Sequence, residues 1–439
     1  MKKARKNMKE KISQRLVIIS LDAVGSKDLP FMSSLPNFKR FMQHAALCAN
    51  VSSVYPSLTY PAHTSIVTGR LPKNHGIINN TLFQPFRKSP DWMWQRKYIK
   101  GTTLYDEALK KGWKVASLLW PVTAKSKIQY NLPEIFANRP WQNQVMVSAM
   151  NGSVQYQLEL KKHYGYLLDG IKQPALDDFV QKSALYTIDH YCPNMMLIHF
   201  TDVDTNRHLY GVSDNKVEEA LRRHDRRLGE LLEHLERTGD IKETTVVLLG
   251  DHYQKNVSVV VYLNYLLKEK GLLTVEKDRI TDFKVIAKNC DGCCYLYKNA
   301  KYKNDNEVEQ KLTEVLTQID SDEIYGATHI YTGKEAAMLG ADPRCAALIE
   351  AREGYYYLDD FHKLTEMVEE MKEGKMKATH GYFPIDSNYK TFFMAFGAGI
   401  KRNIRIPQMN LCDEGVTLAH LFDFKLGKTD GKVIQEILE

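Results

Sequence analysis

Three apolar runs of strand length each lead into an acidic residue, and this recurrence constrains the fold more than anything else in the chain. The runs are Leu16-Val17-Ile18-Ile19-Ser20-Leu21 before Asp22, Met196-Leu197-Ile198 leading to Asp204-x-x-x-His208, and Val246-Val247-Leu248-Leu249-Gly250 before Asp251-His252. In an open α/β sheet, ligands collect at the carboxyl ends of the strands, so these scattered acids are expected on one face. A further histidine, His380, follows in Thr379-His380-Gly381-Tyr382. Asp and His without cysteine suit zinc or a similar divalent metal. Asp22, Asp251 and His252 would serve one ion, and Asp204, His208 and His380 a second. Three protein ligands and an open position describe a catalytic rather than a structural site. Paired metals favour phosphoryl chemistry.

A nucleophile is available in Leu58-Thr59-Tyr60-Pro61-Ala62-His63-Thr64-Ser65-Ile66-Val67-Thr68-Gly69. Pro61 fits a first helical turn and Gly69 the residue after the last. Thr59 then stands at a helix N-terminus, where backbone N–H groups and the dipole favour an anion. A threonine hydroxyl becomes an effective nucleophile when a dication lowers its pKa. Each residue also has a plainer reading. Asp22 fits a turn or cap, Thr59 an ordinary N-cap, and His380 a hydrogen-bonded structural histidine.

The spread of these residues from 22 to 380 argues for one catalytic α/β domain with insertions. Its expected parts are a core at 16–264 with an insertion at about 122–175, a smaller α+β insertion at 265–375, and a return to the core at 376–439. Residues 1–15 form a basic tail with seven Lys/Arg and one Glu, expected to be a disordered, solvated arm. The net charge of +7 comes mostly from this tail, so no broad nucleic-acid face is implied. The tail has no apolar segment of signal-peptide or membrane-span type, which points to a cytoplasmic protein without a membrane partner. Seven cysteines fit a reduced compartment, and Cys290-Asp291-Gly292-Cys293 reads as a structural turn. Oligomeric state is not encoded legibly.

The motifs together resemble the nucleotide pyrophosphatase/phosphodiesterase (type I phosphodiesterase) branch of the alkaline phosphatase superfamily. The resemblance rests on Leu16–Asp22, Thr59–Gly69, Pro72-x-x-His75-Gly76-Ile77-x-x-Asn80, Asp204-x-x-x-His208, Asp251-His252 and Thr379–Tyr382, in the family's order. It implies a mostly parallel central sheet between helices, with cap insertions. It also implies two zinc ions and hydrolysis of phosphodiester or pyrophosphate bonds of a small molecule, nucleotides among the candidates. By motif, one zinc falls to Asp22, Thr59, Asp251 and His252, and the other to Asp204, His208 and His380. Thr59 is the implied nucleophile, passing through a covalent phospho-enzyme, and Asn80 the implied holder of a phosphate oxygen. Tyr60 and His199 occupy the places where nucleotide-cleaving members carry aromatic rings for the base, and Tyr60 is expected to stack there. Tyr60-Pro61-Ala62 stands where those members have Phe-Pro-Asn, and Tyr253-Gln254 where they have Gly-Met.

Other functions fit the same scaffold. A phosphomonoesterase or phosphonoacetate hydrolase would need an added cation, for which Lys125 and Lys127 are the candidates. A non-catalytic binding protein on a degenerate fold is the alternative of another class, and the intact ligand set with Thr59 argues against it.

Overall fold

The structure, a computed structural model, describes residues 14–372 and 374–439. Most of the basic tail lies outside the described residues, but Arg15 does not belong to an arm: it opens the first strand and pairs with Asp240 at 2.6 Å. The strands β1 (Arg15–Leu21), β2 (Ala46–Ser52), β3 (Val115–Leu118), β4 (Tyr130–Leu132), β5 (Met195–Phe200) and β6 (Thr244–Leu249) build the main sheet together with Thr391–Gly397. Their order is β2, Thr391–Gly397, β6, β1, β5, β3, β4, and two short strands, Arg405–Ile406 and Met409–Asn410, run beside β2. The β6–β1–β5–β3–β4 pairings are all parallel. Thr391–Gly397 runs antiparallel between β2 and β6. The fold is therefore α/β with a mostly parallel sheet.

The apolar runs are continuous because both faces of the sheet are covered. Val17, Ile19 and Leu21 of β1 face one core, which the helix Asn215–Thr238 covers with Val217, Leu221, Leu228, Leu231 and Leu235. Leu16 and Ile18 face the other core, closed by the helices Thr59–Thr68 and Leu411–Leu421. All ten residues of Thr59–Thr68 are buried, and its C-cap Gly69 takes φ +64°, a left-handed conformation glycine adopts without strain. Gly415 lets the two helices touch: a Cβ there would lie 2.1 Å from the Ile66 carbonyl oxygen.

Residues 122–175 carry more of the sheet than their weak periodicity suggests, since β4 lies within them at its edge. Two helices, Gln144–Asn151 and Val154–Tyr164, follow. Further on, Val285–Asn289, Cys293–Lys298, Ala347–Ala351 and Ala327–Thr332 form a separate antiparallel sheet. Cys290–Gly292 is the turn between its first two strands, and the cysteines are free thiols. The strand Lys255–Val261 pairs with Ala378–Thr379, which returns the chain to His252 and presents His380 beside it. Among the described residues, no helix is long and apolar enough to cross a membrane.

Glu414 lies fully buried on Leu411–Leu421, and neither of its oxygens has a hydrogen-bond partner. Burial, with Asp413 adding to it, holds its carboxyl pKa well above the usual range. The unfolded chain ionises near pH 4.3. The contribution of Glu414 to folding stability therefore falls as pH rises above that value, by about 1.4 kcal/mol per pH unit until the raised pKa is passed. Glu414→Gln removes this fall. Its thermal midpoint should exceed the wild type's by more at pH 8 than at pH 5, whereas a difference independent of pH would contradict the assignment.

Candidate active site

The carboxyl ends of β1, β5 and β6 converge as their parallel pairing requires. Asp22 follows β1, and Asp251 lies two residues past β6. After β5 the chain enters the helix Asp202–Tyr210, where Asp204 and His208 share a face at i, i+4 spacing. The opposite wall is the start of Thr59–Thr68. Its Oγ1 lies 3.1 Å from His252 Nε2.

His252 Nε2 also lies 3.5 Å from Asp22 Oδ1 and 3.2 Å from Asp251 Oδ2. Both carboxylate oxygens are buried without a hydrogen-bond partner. One small space is thus faced by donors from Asp22, Thr59, Asp251 and His252. On the other side, Asp204 Oδ1 is 3.3 Å from His208 Nε2. His208 Nδ1 donates to the Ala378 carbonyl at 2.8 Å, so in the neutral imidazole, the form that binds a metal, Nε2 carries the lone pair. Ligand atoms of Asp204, His208 and His380 lie within 4.8 Å of one another, as do those of Asp22, Asp204 and His252. Asp204 therefore joins the two groups that the sequence separates.

Metal-free, this cluster is electrostatically expensive. Burial, then the charge of Asp204, pushes Asp22 up to about 7. Burial and Asp22 push Asp251 well above the carboxylate range. Burial brings His380 down to about 3 and His252 well below its ordinary value. Burial would lower His208 too, but the Asp204 carboxylate prevails and lifts it to about 9. Asp22 and Asp251 resist ionisation and His252 and His380 resist protonation, while His208 and the Asp204 carboxylate pair with each other; with orphaned oxygens turned inward, such a cluster suits a cation.

Further side chains hold this frame. His63, on the Thr59 helix, has Nδ1 2.8 Å from the Thr59 carbonyl and Nε2 2.9 Å from Ser20 Oγ, tying the first turn to β1. Gln254 Nε2 donates to Asp204 Oδ1 at 2.5 Å. Asp291 Oδ2 lies 3.6 Å from His380 Nδ1, and burial raises Asp291 to about 6. Asn80 Oδ1 accepts the Tyr60 N–H at 2.9 Å, which leaves Nδ2 as its remaining donor. That bond and Pro61 together remove two of the first-turn N–H groups expected to meet an anion.

Two expectations fail. Neither Tyr60 nor His199 offers a ring face for stacking, since both are fully buried. Tyr60 hydroxyl donates to Glu134 Oε1 at 3.1 Å, and its ring packs edge-on against Trp92. His199 is held between Asp22 Oδ2 at 3.1 Å and Glu134 Oε2 at 3.0 Å. Burial would lower its pKa, but these two carboxylates raise it well above the ordinary value. Glu134 escaped the sequence reading because no periodicity marks its segment. Lys125 and Lys127, the candidate extra cations, instead line a cavity of about 620 Å³ with Arg96, Lys97 and Lys110, in which none of the candidate metal ligands takes part.

Comparison with known proteins identifies the family and the fold. The model of the type I phosphodiesterase / nucleotide pyrophosphatase family matches residues 16–383. Ectonucleotide pyrophosphatase/phosphodiesterase family member 1 of Mus musculus is 26% identical over 246 residues, 54% of this chain and 23% of that protein. Venom phosphodiesterase 2 of Crotalus adamanteus is 26% identical over 250 residues, 55% of this chain and 27% of the venom protein. The matched stretch thus spans about a quarter of these relatives. The human ectonucleotide pyrophosphatase/phosphodiesterase 5 structure superposes with a TM-score of 0.68 at 18% identity, covering 97% of this chain and 100% of that one. An inactive murine form of the same protein, solved with AMP, gives a TM-score of 0.67 at 17% identity over the same shares. At that identity the likeness establishes the fold.

Proposed function

Because the chain belongs to the type I phosphodiesterase / nucleotide pyrophosphatase family, we propose that it hydrolyses a phosphodiester or pyrophosphate bond of a small molecule, with two divalent metals, zinc by ligand type. The observation that carries this reading is the pair of donor groups meeting at Asp204, with Thr59 Oγ1 only 3.1 Å from His252 Nε2. Asp22, Thr59, Asp251 and His252 would hold one ion, and Asp204, His208 and His380 the other. Bound there, the ions would lower the pKa of the Thr59 hydroxyl and offset charge on the reacting phosphoryl group.

The chain's own groups supply the rest. Thr59 Oγ1 loses its proton to solvent and attacks phosphorus; the bond to the leaving oxygen breaks, and that oxygen departs with the electron pair. Water then cleaves the phosphothreonine. Asn80 Nδ2 donates to a non-bridging phosphate oxygen, its amide fixed by the Tyr60 N–H. His63 keeps the first turn seated while the charge on phosphorus changes. A nucleotide substrate, as the AMP bound to the murine relative suggests, would have to place its base away from Tyr60 and His199.

The direct test is turnover of bis(p-nitrophenyl) phosphate. Zinc-loaded protein should hydrolyse it, chelator should abolish the activity, and zinc should restore it. Asn80→Ala should lower the rate by roughly ten- to a thousandfold, as for loss of one oxyanion donor. Full activity in metal-free protein would refute the proposal.

A further inference from the structure

Glu134 lies two residues beyond β4, in a segment seated by the buried Ile135 and by Phe136 against the cluster of Tyr60, Trp92 and Trp94. Its two oxygens do different things. Oε1 accepts the Tyr60 hydroxyl at 3.1 Å, and Oε2 faces His199 Nδ1 at 3.0 Å. The Leu119 carbonyl oxygen also lies 3.1 Å from that nitrogen. Two acceptors on one side fix a proton on Nδ1 and set the plane of the ring. Nε2 is then aimed at Asp22 Oδ2, 3.1 Å away. That contact tethers one oxygen of Asp22. The other, Oδ1, is left without a partner and turned toward His252 Nε2. The second arm reaches the same centre from the opposite wall, because Tyr60 follows Thr59 and its N–H is the group that orients Asn80.

We propose that Glu134 is a positioning residue of this centre, holding Asp22 through His199 and the first turn of the Thr59 helix through Tyr60. The proposal rests on the two-metal reading and deepens it. The residues it names are those that depart from the family's aromatic pair. Here the space beside Thr59 is spent on a hydrogen-bonded chain, Tyr60–Glu134–His199–Asp22, that presents one carboxylate oxygen outward. Outer partners of metal-ligating groups are worth about ten- to a hundredfold in affinity or activity.

The test measures zinc affinity of the full chain by competition with a chromophoric chelator, alongside kcat and KM on bis(p-nitrophenyl) phosphate. It is run at a temperature where circular dichroism shows each variant folded. Glu134→Ala should weaken zinc about ten- to a hundredfold and lower kcat by a similar factor, with KM within about threefold. Glu134→Gln keeps an acceptor for one of the two donors and should fall between wild type and Ala. Tyr60→Phe cuts only the second arm and should lower kcat by several-fold while zinc affinity stays within about twofold of wild type; an unchanged kcat would overturn the arm through Tyr60. Wild-type zinc affinity and kcat in Glu134→Ala would overturn the role of Glu134 while leaving the metal centre standing. A wild-type protein that takes up no zinc would overturn the two-metal reading itself, and this inference with it.

Discussion

Thr59→Ala folds, retains metal through the remaining ligands, and loses turnover by about a thousand- to a millionfold, the range for removal of a catalytic nucleophile. Folding should survive because the helix is held by its buried length and by His63 on the Thr59 backbone carbonyl, a bond the substitution does not touch. What is lost is Oγ1, the atom beside His252 Nε2 and the orphaned oxygens of Asp22 and Asp251. Thr59→Ser retains a hydroxyl at the same place and should retain part of the activity. Steady-state turnover, with zinc content measured on the same samples, checks both. A Thr59→Ala rate near wild type would mean that water attacks phosphorus directly.

Asp251→Asn separates function from stability. Turnover should drop by about a hundredfold or more, the upper end of what even an outer partner of a ligand costs, and the zinc-induced rise in thermal midpoint should shrink. Metal-free, the same substitution should stabilise the protein. Burial and Asp22 raise the Asp251 pKa well above the unfolded value of about 3.9. The metal-free wild type therefore loses stability as pH rises from about 4 toward the raised pKa, and Asn does not titrate. Metal-free Asp251→Asn should melt above metal-free wild type at pH 8, with the gap closing toward pH 4. Equal midpoints at both pH values would show that the cluster is not strained without a cation.

Much of this site can be read from the sequence for a geometric reason. Asp22 and Asp251 sit just past apolar runs, and Asp204 and His208 stand one helical turn apart, so parallel strands bring them together. Tyr60 and His199 show where such reading stops. Their polar atoms are paired with Glu134, 74 and 65 residues away along the chain, in a segment without helical or strand period. Gln254 registers in sequence only as a departure from the family pattern, although its amide holds Asp204. Asn80 enters only through the resemblance, and its orientation through Tyr60 is visible only in three dimensions. The three-residue β4 is too short to show a period, which is why it is hidden inside an apparent insertion.

The charge of the preferred substrate separates a diesterase from a monoesterase at this site. A diester carries one negative charge at neutral pH and a monoester nearly two. Among the described residues, no Lys or Arg forms an ion pair with Asp22, Asp204 or Asp251, whose partners are histidines. Three carboxylates and the Thr59 oxyanion would offset the four formal positive charges of two dications, and Asn80 adds a neutral donor. Such a field suits a monoanion better than a dianion. The measurement is kcat/KM of the zinc-loaded protein on bis(p-nitrophenyl) phosphate and on p-nitrophenyl phosphate under one set of conditions. The higher value is expected for the diester; a clear preference for the monoester, or for phosphonoacetate over both, would contradict a diester-cleaving site.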